Sequence, residues 1–167
     1  MDANTKTLLI IWHSRTHAAR LAAQAAHDSA CKIRQELDQQ DEIIMVHANE
    51  VTLEQLLRAN AYLFCAPENL ASLSGAMKEF FDRFYYDLLD KVEGRPYSAI
   101  ITAGSDGQGA LRQLQRICTG WRLNEKVPPI ILNTASQTKE EILAPKTLTA
   151  KQLAQAADVG GTLYAWL

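Results

Sequence analysis

Apolar residues along this chain come in short runs, separated by longer stretches with helical spacing. The first run, Leu8-Leu9-Ile10-Ile11-Trp12, stops at His13-Ser14-Arg15-Thr16-His17, and an Ala-rich stretch follows at once. The same alternation recurs and predicts strands at Thr7–Trp12, Glu42–His47, Ala61–Ala66, Tyr97–Ala103 and Pro129–Asn133. It predicts helices at Ala18–Asp38, Leu53–Asn60, Ser74–Asp90, Gly107–Gly120 and Ala150–Leu167. Five strands, each followed by a helix, read as repeated βα units that build a parallel sheet covered on both faces. The third helix is the clearest: Met77, Phe80, Phe81, Phe84 and Leu88 follow the i, i+3, i+4, i+7 pattern, with Tyr85 and Leu89 widening the stripe. Lys78, Glu79, Asp82 and Arg83 face the other way, so the aromatic stripe reads as core packing. Its far end, Phe84-Tyr85-Tyr86, is a candidate subunit contact.

Capping signals sharpen two helix starts. Thr52 is followed three positions later by Gln55, and Thr149 by Gln152, the spacing of a capping box. In the last helix Gly160-Gly161 interrupts good helix-forming sequence at about 1 kcal/mol per glycine, so a close helix–sheet approach is expected there. Pro128-Pro129 and Ala144-Pro145 mark loops. No internal repeat or linker divides the 167 residues, which fit one domain, residues 1–167.

Composition narrows the functional classes. Charged residues are 22% and hydrophobic residues 47%, an ordinary globular mix, and the net charge is −2 from 17 basic and 19 acidic side chains. No Lys/Arg stripe exists to neutralise nucleic-acid phosphates or an anionic membrane, so neither partner is expected. Cys31, Cys65 and Cys118 are far apart and odd in number, without a CxxC pair, which suggests neither zinc nor a dithiol couple. The polar start Met1–Thr7 lacks a signal-peptide arrangement, and no run approaches the ~20 apolar residues that span a bilayer. A cytoplasmic location is the expectation.

In a parallel sheet the loops after the strands gather on one edge, and three of them are unusual here. His13–His17 joins a strand directly to a helix whose N-terminal N–H groups and partial positive charge suit a phosphate. Pro67–Gly75 is longer than the ~2–6 residues of a typical βα connection, and its small residues let a flat ligand approach the backbone. Gly104-Ser105-Asp106-Gly107-Gln108-Gly109 holds three glycines, but its GxxG spacing and its place after the fourth strand do not match a dinucleotide fingerprint. Ser14 is outside a GxSxG elbow, and His13 and His17 have no third ligand beside them, so hydrolase and metal readings are poor.

Three segments resemble the flavodoxin-like NAD(P)H-dependent FMN reductases and quinone reductases. His13-Ser14-Arg15-Thr16 with Ala18-Ala19-Arg20 is similar to that family's HSRTG phosphate loop. Ala66-Pro67-Glu68-Asn69-Leu70, running into Ser74-Gly75-Ala76-Met77-Lys78-Glu79-Phe80-Phe81-Asp82-Arg83, resembles its flavin loop and the helix that follows. Ala103–Gly109 is similar to a Gly-rich flavin loop of some members. The resemblance implies a flavodoxin-like three-layer sandwich with strand order 2-1-3-4-5 and FMN at the strand edge. It implies that Ser14, Arg15, Thr16, His17 and Ala18 surround the phosphate. Pro67, Glu68, Asn69 and Leu70 would border the isoalloxazine ring, and Gly104, Ser105, Asp106 and Gly107 its other side. No catalytic side chain is implied, because the flavin carries the chemistry. NAD(P)H would be the co-substrate, and a quinone, a second flavin or a similar small molecule would accept the electrons; a homodimer or homotetramer is implied. His17 stands where the family usually has Gly, and Ala19 where a Thr commonly adds a hydroxyl. Losing a hydrogen bond to a charged group costs about 1.5–3 kcal/mol, which would weaken FMN binding.

Two other classes share this fold. One is a flavodoxin-type electron carrier, disfavoured by the near-neutral charge and by the lack of aromatic residues in Pro67–Gly75 and Gly104–Gly109. The other is a binding scaffold whose FMN site is weakened or lost.

Overall fold

The computed structural model describes residues 5–167, so the first four residues of the polar start lie outside it. β1 (Thr7–Trp12), β2 (Glu42–His47), β3 (Ala61–Asn69) and β5 (Pro96–Ala103) run parallel in the order β2-β1-β3-β5. The fifth position is shared by two strands. β6 (Asn124–Glu125) pairs with Pro96–Tyr97 at the start of β5, and β7 (Ile130–Asn133) pairs with Ile100–Ala103 at its end. The break between them holds Pro128-Pro129, whose ring nitrogens cannot donate to a ladder. The expected order 2-1-3-4-5 is therefore present, with its last strand interrupted. A short antiparallel strand, β4 (Ser72–Leu73), folds back on the end of β3.

Continuous apolar runs are needed because both faces of the sheet are covered. Leu9, Ile11, Tyr62, Phe64, Tyr97 and Ile101 point to one face, under α2 (Leu53–Arg58), α3 (Gly75–Leu88) and α4 (Gln108–Gly120). Leu8, Ile10, Leu63 and Ile100 point to the other, under α1 (Ala18–Glu36) and α6 (Ala150–Tyr164). The first face is filled by rings: Phe64, Phe80, Phe81 and Trp121 pack with centroids 5.0 to 6.3 Å apart. The second is filled by backbone proximity, with Ala18, Ala22, Ala23, Ala26 and Ala30 of α1 all buried. A Cβ on Gly160 would collide with the backbone of Ala26, so the glycine pair of α6 permits close approach to α1, not to the sheet as the sequence suggested.

Most predicted boundaries hold within two or three residues, and the capping boxes at Thr52/Gln55 and Thr149/Gln152 are both formed. Met77, Phe80, Phe81, Phe84 and Leu88 are buried as expected, whereas Tyr85 and Leu89 are 40% and 45% exposed and lie outside the stripe. Lys78–Asp82 and Glu79–Arg83 pair at 2.7 Å on the outer face of α3. Three features were not anticipated: the β3–β4 hairpin, the short strand β6, and the short helix α5 (Lys139–Leu143) between β7 and α6. Among the described residues no helix is long and apolar enough to cross a membrane.

Candidate functional site

The C-terminal edge of the sheet carries a cleft of about 340 Å³, within the size range of small-molecule sites. Its lining draws on the C-terminal ends of β3 and β5 and on the segments after β1, β5 and β7. Arg15, Thr16 and Ala18 form one end, and Pro67, Glu68 and Asn69 one wall. Thr102, Ala103 and Gly104 form the floor and the facing wall, and Thr134, Ser136, Ile142, Leu143 and Lys146 close the remaining side.

At the first end β1 passes directly into α1. His17 occupies the N-cap of α1 with φ +74°, a left-handed conformation that explains why glycine suits this position. Its side chain makes no capping hydrogen bond, and the first turn of α1 holds no acidic residue. The early N–H groups of a 19-residue helix are thus left without a side-chain acceptor. α2, α5 and α6, by contrast, each carry a completed Thr capping box, while α3 shares with α1 an N-cap that makes no side-chain capping bond. Ala19 is fully buried under this turn.

The Pro67–Asn69 wall differs from its expected form. The segment after Ala66 is not a long open loop: β3 continues through Pro67, Glu68 and Asn69, and a two-residue turn at Leu70-Ala71 returns the chain into β4. Both turn residues have positive φ, 51° and 61°, the geometry of a type I′ hairpin usually filled by Asn-Gly. Leu70 points fully outward at the tip and does not line the cleft.

Tertiary bracing holds this unusual turn. The Gly107 N–H donates to Glu68 Oε2 at 2.7 Å, placing a carboxylate at the N-terminus of α4. The Leu73 N–H donates to Gln113 Oε1 at 2.7 Å, and the Ser74 N–H donates to the Pro67 carbonyl at 3.1 Å. Gly109 lies so close to the turn that an added Cβ would strike the Ala71 carbonyl. Gly107 itself has φ +87°, and a Cβ there would lie 2.6 Å from Ile131 Cγ2. The other oxygen of Glu68, Oε1, is buried without a partner.

His13 joins the two ends. Its Nδ1 lies 2.8 Å from Ser74 Oγ at the start of α3, and its ring meets that of His47 edge-on at 5.6 Å. Burial holds the His13 pKa below its usual value, with smaller contributions from the charges of His47 and Arg15. Cys65 is fully buried, and burial raises its thiol pKa well above the ordinary range.

Of the residues singled out in the sequence, Arg15, Thr16, Ala18, Pro67, Glu68, Asn69 and Gly104 come together in the cleft. Ser14, His17, Ser105, Asp106 and Gly107 belong to the adjoining loops without lining it, and Gly107 serves the Glu68 brace. Thr102, Ala103 and the whole contribution from 134–146 were missed. The spacing Thr138-x-x-Glu141 was the available signal for α5, and this box is complete.

A parallel sheet in this order, with its cleft at the loop edge after β1, β3 and β5, defines a flavodoxin-like α/β protein. Solved structures agree on the fold. A flavodoxin from the domain Archaea superposes with a TM-score of 0.73 at 14% identity, covering 96% of this chain and 97% of that one. An oxidoreductase from Corynebacterium diphtheriae superposes with a TM-score of 0.70 at 18% identity, covering 99% and 100%. A flavodoxin from Aquifex aeolicus (strain VF5) is 28% identical over 102 residues, 61% of this chain; the match spans about half the length of that relative, 52%. The NADPH-dependent FMN reductase family matches residues 13–139, and the chain belongs to that family.

Proposed function

We propose that this protein binds FMN in the cleft and works as an NAD(P)H-dependent oxidoreductase that passes electrons to a small acceptor such as a quinone or a second flavin. The observation that carries this reading is the uncapped N-terminus of α1, which opens onto a cleft shared with the Pro67–Asn69 and Gly104 walls. The residues present suit the group. A phosphate would satisfy the free N–H donors of the first turn, with Ser14, Arg15, Thr16, His17 and Ala18 around it. A planar ring would lie between the hairpin wall and the wall formed by Thr102, Ala103 and Gly104.

When bound, FMN supplies the redox chemistry, accepting a hydride from a nicotinamide and passing electrons onward. The protein's part is position and polarity. Glu68 fixes the hairpin to α4, so the two walls keep a constant spacing. Backbone N–H groups of these walls are the donors suited to a ring that gains negative charge. None of the residues lining the cleft is aromatic, so no stacked side chain covers the ring, and a nicotinamide or a flat acceptor has room to stack in turn. That openness favours the enzyme over an electron carrier.

The test is spectroscopic. The protein is incubated with FMN, freed of unbound flavin and mixed anaerobically with NADPH or NADH. Retained yellow colour that bleaches rapidly supports the enzyme. Colour that bleaches only when a separate reductase is added supports the carrier, and a protein that retains no flavin overturns both.

A further inference from the structure

The segment between β7 and α6 runs from Thr134 to Thr149, where ordinary connections of this kind take ~2–6 residues. It is tied at its two ends to opposite parts of the cleft. At its start the Thr134 N–H donates to the Ala103 carbonyl at 2.8 Å and the Ser136 N–H to the Gly104 carbonyl at 2.9 Å. At its far end the Lys146 N–H donates to the Thr16 carbonyl at 2.7 Å. Between these ties α5 closes on itself. Thr138 and Glu141 cap its N-terminus, and the Lys146 ammonium donates to the carbonyls of Ile142 (3.1 Å) and Ala144 (2.8 Å), and to that of Glu141.

α5 buries none of its own residues. It nevertheless presents Ile142 and Leu143, 53% and 65% exposed, along the side of the cleft. Self-capping and the two ties hold this helix without help from those side chains. What the pair can gain is contact with an occupant of the cleft, since apolar area covered by a ligand is area removed from water.

The geometry points to residues 134–146 as a strap that makes this a mononucleotide site: Ile142 and Leu143 pack on the bound flavin, and the Lys146–Thr16 tie closes the path beyond its phosphate. This rests on the FMN reading above. The phosphate end is bounded by Arg15 and Thr16 on one side and Lys146 on the other, joined by that backbone hydrogen bond. A flavin ending in a phosphate monoester stays behind the tie. A flavin whose phosphate continues through a pyrophosphate into a second nucleotide has to break the bond or displace α5.

The experiment titrates the protein with FMN and with FAD, following flavin fluorescence. The wild type should bind FMN at least about tenfold more tightly than FAD. Ile142→Ala with Leu143→Ala should weaken FMN about tenfold while leaving FAD unchanged or tighter, so the preference collapses. Because α5 buries no residue, this double variant should melt with the wild type, which separates lost contact from lost fold. Lys146→Pro, which deletes the tying N–H, should admit FAD, whereas Lys146→Gln, which keeps that N–H, should still exclude it. Equal affinity of the wild type for FMN and FAD overturns the inference, as does a double variant with both affinities unchanged. A wild type that binds no flavin at all defeats the FMN reading itself, a result distinct from either.

Discussion

The two ends of the cleft are built in opposite ways. The end at Arg15–Ala18, proposed for the phosphate, is one junction of consecutive residues, in which β1 stops at Trp12 and α1 starts at Ala18. The hairpin end is assembled from distant segments: Glu68 meets Gly107 across 39 positions, and Leu73 meets Gln113 across 40. A helix start supplies donors for an anion without outside help. Two walls that hold a flat group need separate segments fixed at one spacing, and that spacing depends on packing. One end can therefore tolerate a substitution locally, while the other transmits it through the fold.

The largest effect should come from crowding the hairpin end. Gly109→Ala forces a methyl group into the Ala71 carbonyl, and should lower stability by about 2–3 kcal/mol in urea unfolding and weaken FMN binding as well. Gly120→Ala, at the other end of the same helix with open space around it, should be neutral or slightly stabilising. If both variants behave alike, the hairpin is not packed as described. Next is the brace. Glu68→Ala removes the acceptor at the N-terminus of α4 and should cost about 1–2 kcal/mol in the same measurement, with Glu68→Gln recovering part of it.

At the phosphate end the effects should be smaller on stability and visible in binding. Thr16→Ala should weaken FMN about tenfold with little change in melting. His17→Gly should do less to affinity and raise stability by up to about 1 kcal/mol, because φ +74° strains a residue with a Cβ. Tighter FMN binding by His17→Gly would mean that the imidazole crowds the phosphate. An unchanged affinity in Thr16→Ala would remove this loop from the site.

The smallest effect should fall on His13, the residue joining the two ends. Its folded pKa lies below the ordinary 6.5, so acid protonates the unfolded chain first. The stability it contributes is whole above about pH 6.5 and is lost as pH falls through the folded value. His13→Asn should therefore flatten the decline in melting temperature between about pH 7 and pH 5, by the equivalent of less than about 1 kcal/mol. A decline identical to that of the wild type would show that His13 is not held neutral.

Legibility followed the same division. The five parallel sheet positions were readable because buried parallel strands need continuous apolar runs, and Leu8–Ile11 and Leu63–Cys65 have them. The strand-to-helix junction at His13–His17 was readable because strand, loop and helix start are contiguous; that its N-cap is His17 and makes no capping hydrogen bond was not. The hairpin was not. Leu70-Ala71 has none of the Asn or Gly that marks a type I′ turn, and it reaches that geometry in a setting of contacts with Gly107, Gly109 and Gln113. α5 was missed for another reason: five residues with none buried leave no apolar period to read, only the Thr138–Glu141 cap.

The sequence by itself determined the parallel α/β frame, the aromatic face of α3 and the direct junction of β1 with α1. Each depends on periodicity or on neighbours within a few positions, which backbone geometry converts directly into structure. Only the tertiary structure decided how large the cleft is, which oxygen of Glu68 is engaged, and that a strap from β7 ties Gly104 to Thr16. Those features join residues dozens of positions apart, and no local pattern records which distant backbone will supply the partner of a given N–H.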